Sequence, residues 1–150
     1  MLPDSLKTLL ERDLHQLRQE IEAYQEEQAL WRVAPGISNS AGNLCLHLLG
    51  NLNTYIGAQL GHSGYVRHRD LEFSAKDVPR AELLAGIDET RRVVAAALAA
   101  VSDAQLAAEY LTSVFEAPAP LAQFLVHLAG HLTYHLGQIN YHRRLLDKPV

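Results

Sequence analysis

Eight histidines stand against three phenylalanines and one tryptophan in this chain of 150 residues. Their placement is the first chemical signal. His127, His131 and His135 follow one another at intervals of four between Val126 and Gln138. Residues four apart on a helix lie one turn above each other on one face. A His-x-x-x-His pair therefore aims two imidazoles at one point, as zinc-binding helices do. A further histidine, His47, lies between Leu46 and Leu48 and three residues past Leu44, at the border of an apolar stripe. A neutral histidine in a bundle core is costly unless its ring nitrogens find partners. Histidines on facing helices can satisfy one another by sharing a metal ion. Hydrogen-bonded core histidines or solvated ones are the other reading, and spacing alone does not choose between them.

Helices must position these residues. Leu6, Leu10, Leu14, Leu17, Ile21 and Tyr24 recur at steps of three and four. That period predicts a first helix from a cap at Asp4 or Ser5 to near Ala29, with Glu, Arg and Gln on its wet face. Pro35-Gly36 breaks the chain, and Ser38-Asn39-Ser40 offers caps for a second helix with the stripe Leu44, Leu48, Leu52 and Tyr55. Gly42, Gly50 and Gly57 interrupt that helix, each at a cost of ~1 kcal/mol relative to alanine, which a close helix crossing would offset. Residues 65–74 are mostly charged and without period, and read as a long connection. Asp77 is the expected cap of a third helix with Pro79 in its first turn, buried through Leu83, Leu84, Ile87, Val94, Leu98 and Val101. Ser102 to Gln105 reads as a capping box, and 109–117 as a partly extended linker. A fourth helix runs from near Pro120 to Leu146 through Phe124, Leu128, Leu132, Leu136 and Ile139. Four long amphipathic segments predict an all-α four-helix bundle, a single domain over 1–150.

Composition narrows the function. At 48% hydrophobic and 20% charged the chain is globular, and a net charge of −4 argues against a nucleic-acid partner. The single cysteine, Cys45, excludes an internal disulfide and a cysteine-based zinc cage. Neither a secretory signal nor a membrane-length apolar run is present, so a cytoplasmic protein without a membrane partner is expected.

Two stretches carry a family resemblance: Leu44-Cys-Leu-His47, and His131-Leu-Thr-Tyr-His135-Leu-Gly-Gln-Ile139. With the order and spacing of the helices, they make the whole chain similar to the DinB/YfiT-like superfamily of metalloenzymes. Residues 37–43 and 67–73 resemble an uncharacterised branch of it. The resemblance implies a bundle with up-down-down-up connectivity and a long connection between its second and third helices. It implies a divalent metal ion, zinc or nickel, on His47, His131 and His135. Relatives include S-transferases and isomerases that use a low-molecular-weight thiol, so a metal-dependent thiol transferase acting on a small-molecule substrate is the expected function. A non-catalytic metal- or ligand-binding stress-response module and a metal-dependent hydrolase are the alternatives. No acidic residue flanks the histidine pair as in His-Glu-x-x-His, which argues against a peptidase. No residue is assigned a catalytic role.

The remaining candidates divide by position. His127 suits packing or support of a ligand. Asn51, one turn past His47, would orient a ligand or bond between helices, and Gln138 would lie near the metal. Tyr134 points away and should pack. Cys45 faces elsewhere than His47 and reads as a buried, inert thiol. Arg67 and Arg69 would clamp a carboxylate of a thiol cofactor, or form a network with Asp70 and Glu72. His15, His62, His68 and His142 are expected in solvent. The resemblance, the glycines of the second helix and the apolar stretch Val93–Val101 suggest a homodimer.

Overall fold

A computed structural model describes residues 2–110 and 112–148. Four long helices carry the fold: α1 (Leu2–Ala23), α2 (Ala41–Leu52, continued by a widened turn over Asn53–Ala58), α4 (Arg80–Ala99) and α6 (Leu121–Leu146). Between them lie a 3-10 turn (Glu27–Trp31), the short helices α3 (Arg69–Ser74) and α5 (Asp103–Ala107), and two-residue strands β1 (Glu109–Tyr110) and β2 (Ala119–Pro120). The strands pair antiparallel, Glu109 opposite Pro120, which makes the linker partly extended.

Side-chain contacts give the helix directions. Thr133 bonds Asp13 and Asn140 bonds Glu20, so α1 and α6 run parallel. Tyr55 meets Phe124 while His47 meets His131, so α2 opposes α6. Arg18 reaches Asp88 and Arg80 reaches Glu22, so α4 opposes α1. The connectivity is up-down-down-up. The helices share one apolar core, with Leu10, Leu14, Leu17 and Ile21 of α1 fully buried against Leu48, Leu52, Ile87, Leu132 and Ile139. Among the described residues, no helix is long and apolar enough to cross a membrane.

Several local expectations change. The first helix stops at Ala23, six residues short of Ala29, because Asp147 accepts the backbone N–H groups of Gln25 and Glu26 and turns the chain there. Asp77 caps nothing: it takes a left-handed conformation (φ 57°), and Pro79 stands before α4 rather than in its first turn. The glycines of α2 serve this chain and not a second one. A Cβ at Gly42 would stand 2.7 Å from the Trp31 ring, and one at Gly57 2.9 Å from Val93. Val94, Ala97 and Leu98 are likewise buried within the chain. Asp13 and Glu20 belong to the α1–α6 seam, where Glu20 accepts from Asn140 and Arg143.

His142 is the clearest reversal. Instead of facing solvent, it is buried, with Nε2–H donating to the Arg32 carbonyl at 2.8 Å and Nδ1 accepting from the Tyr24 hydroxyl at 2.7 Å. It joins α6 to the end of α1 and to the segment leading into α2. Burial holds its pKa below the ordinary value, despite the opposing bond to Arg32. His142→Ala should cost about 2–4 kcal/mol in urea unfolding, since it opens a cavity and strands the Tyr24 hydroxyl. Tyr24→Phe, which removes only one bond, should cost about 1 kcal/mol.

Candidate metal centre

Ser40 caps α2 by accepting from the Asn43 N–H. The Asn43 side chain, itself buried, donates from Nδ2 to the carbonyls of Glu72 (3.0 Å) and Ala75 (2.8 Å). Lys76 donates to its Oδ1 at 2.8 Å. These bonds pin α3, a helix within the stretch expected to be plain connection, against α2. Glu72 is thereby brought to Gly50, where a Cβ would stand 2.0 Å from its Oε2. Only glycine leaves room for the carboxylate.

The Glu72 carboxylate, 5% exposed, accepts from His47 Nδ1 at 3.0 Å. Arg67 holds it with a two-pronged contact, Nε to Oε2 at 2.8 Å and Nη2 to Oε1 at 2.9 Å. A bond to an ionised carboxylate puts the His47 proton on Nδ1 and leaves Nε2 as a lone pair. Gln138 Oε1 does the same for His135, at 2.7 Å from its Nδ1. His47 Nε2 stands 3.2 Å from His131 Nε2, and the rings of His131 and His135 are 4.6 Å apart. One nitrogen from each of His47, His131 and His135 falls within 4.8 Å of the others, the spacing at which three imidazoles can share one cation.

Protonation supports that chemistry. Burial, then the neighbouring His135, His47 and His127, push the His131 pKa down to about 4. Burial lowers that of His47 too, although Glu72 pulls the other way. Both rings are therefore neutral donors near pH 7. Among the described residues, three buried side-chain atoms lie without a partner: His131 Nδ1 in the cluster, Asn51 Oδ1 one turn past His47, and Arg80 Nε at the start of α4. A cation held by the three rings would leave the proton of His131 on its unpartnered Nδ1. The donor set thus fits a divalent ion bound through nitrogen.

The other candidates fall around this cluster. His127 is outside it, packed against Phe115 at 5.3 Å between ring centres. Tyr134 is 65% exposed and does not pack in the core. Burial raises the Cys45 thiol to about 12, so it is inert. Arg67 has its fork on Glu72, whereas the exposed Arg69 lies over the Phe73 ring at 5.3 Å. Phe73 in turn lies 4.9 Å from the His47 ring and walls the cluster. Sequence reasoning set Glu72 in a charged network but missed its contact with His47. It also missed Asn43 and the reason for Gly50. The available signal was weak: an asparagine three past a cap, and a costly glycine three past a histidine.

The sequence profile of the DinB superfamily matches residues 9–139, which include all three clustered histidines. No curated protein matches the chain.

Gly50→Ala should displace Glu72, costing about 1–3 kcal/mol in denaturant unfolding. The same change should lower the His47 pKa further in an NMR titration, since the carboxylate that favours its protonated form has gone. The metal-free protein should also lose stability in acid. An unfolded histidine binds its proton near 6.5, whereas folded His131 resists until about 4. Its contribution is whole above about pH 6.5 and is lost as pH falls towards 4, which thermal melts across that range would show.

Proposed function

The chain belongs to the DinB superfamily, and on that premise we propose that it is a metal-dependent thiol transferase acting on a small molecule. His47, His131 and His135 hold the ion, zinc or nickel. The observation that carries this reading is the convergence of three imidazoles, two of them turned by dedicated acceptors, Glu72 and Gln138. Three histidines would leave a divalent ion with a position for a thiol or water, whose pKa it would lower to give a nucleophile at neutral pH.

The chain's own residues define the rest. Glu72 is the acidic side chain at the cluster, and both its oxygens are engaged by His47 and Arg67. It orients a ligand and is unavailable to activate water, which favours thiol transfer over hydrolysis. Phe73 excludes water from the His47 edge. Arg69 can meet a carboxylate of the thiol cofactor, because its guanidinium is exposed beside Phe73 while that of Arg67 is taken. The functional unit in this reading is a homodimer of single-domain chains in the cytoplasm, with no nucleic-acid or membrane partner.

Metal analysis of untagged protein tests the ligands. His47→Ala, His131→Ala and His135→Ala should each lose most of the bound metal, and His127→Ala should retain it; equal content in all four removes the assignment. Glu72→Gln, which leaves the ligands in place, should weaken affinity about 10-fold or more. Acidification should release the ion as the histidines protonate. Incubation of the loaded protein with thiols and electrophiles, beside His131→Ala, tests turnover. Equal rates would leave a binding module.

A further inference from the structure

One face of α6 is left bare by this chain. Val126, Tyr134, Tyr141 and Leu145 are 52%, 65%, 62% and 61% exposed. With Gly130 and Gly137 they form one stripe, at steps of four, four, three, four and four. At both glycines nothing lies within 4 Å of where a Cβ would stand, so no packing inside the chain requires them. Each nevertheless weakens an exposed helix.

The stripe complements itself when read antiparallel. Setting Val126 opposite Leu145 puts Gly130 opposite Tyr141 and Tyr134 opposite Gly137. Two-fold symmetry repeats each pairing, so every tyrosine meets a glycine. A parallel arrangement would set tyrosine against tyrosine and leave the glycines facing gaps. Charge points the same way: exposed Arg144 and Lys148 lie at one end, exposed Glu109 and Glu116 at the other. An antiparallel pair joins unlike ends. The four apolar side chains expose on the order of 450 Å², given ~150–250 Å² for a whole aromatic side chain, and flanking residues bring the face towards the ~800 Å² per partner of a stable dimer.

We propose that a second copy of this chain packs on this face, α6 against α6, antiparallel about a two-fold axis between Tyr134 and Gly137. This names the surface of the homodimer in the functional reading and rests on that reading only there.

Sedimentation velocity across micromolar concentrations tests the face. The native protein should be a dimer. Gly137→Arg and Gly130→Arg should each weaken dimerisation about 100-fold or more, yet keep metal content and raise the melting temperature of the monomer, since both sites are open in the chain. A Tyr134→Cys/Gly137→Cys double variant should form cross-linked dimers on oxidation. The native protein should not, because Cys45 is buried. A monomeric native protein overturns both the dimer and this face. A dimer that survives both arginine variants and does not cross-link overturns this face alone. Metal content, read on the same samples, keeps the metal assignment separate from either result.

Discussion

The site depends on one buried carboxylate. Glu72 has been taken out of water, and such a charge is tolerated only when paired and hydrogen-bonded on every side. Arg67 supplies the opposite charge, and His47 supplies a donor. Gly50 supplies the space. The arrangement reads in both directions. The ion pair anchors the connection between α2 and α4 to the bundle, and the same carboxylate fixes which His47 nitrogen keeps its proton. A histidine that must offer a lone pair at one nitrogen needs such an acceptor at the other.

Polar contacts elsewhere follow the same logic. Asn43, buried in the first turn of α2, ties down α3 through two carbonyls. His142 binds α6 to Tyr24 and to the Arg32 carbonyl. Glu20 closes the α1–α6 seam with Asn140 and Arg143. Each is a buried polar group with nearly all its bonding capacity used, so each specifies one arrangement of elements rather than adding much net stability. The apolar core supplies the drive to pack, and these groups select the register. Among the described residues three buried side-chain atoms depart from the pattern: Arg80 Nε at the start of α4, Asn51 Oδ1 one turn past His47, and His131 Nδ1 in the cluster itself. The open nitrogen of His131 is the one of the three that belongs to a clustered histidine.

α6 combines three duties that sequence alone makes hard to separate. One face lies in the core through Phe124, Leu128, Leu132 and Ile139. A second carries His131 and His135 towards α2. A third remains in solvent and presents Tyr134 and Tyr141 between open glycines. A helix apolar on so much of its circumference has a weak overall asymmetry, which hides where the core ends and other surfaces begin.

The amino-acid sequence by itself determined the four long helices, their buried faces and the two-helix origin of the histidine cluster. Helical period is local, so Leu6 to Ile21 or Phe124 to Ile139 can be read without knowing what they pack against. The capping box at Ser102 and Gln105 was legible for the same reason, since both partners lie within one turn. Only the tertiary structure decided the meetings between distant residues. Glu72 lies 25 positions from His47 in a charged stretch without period, and only the docking of α3 reveals it as that histidine's acceptor. His142 had no spacing to mark it, and its partner Tyr24 is 118 positions away. The glycines of α2 suggested a close approach, but whether a second chain or Trp31, Glu72 and Val93 filled the space depended on the folded neighbours. Local backbone preferences act over a few residues and are written in order along the chain. Burial, charge pairing and proton placement arise from groups that folding alone brings into contact.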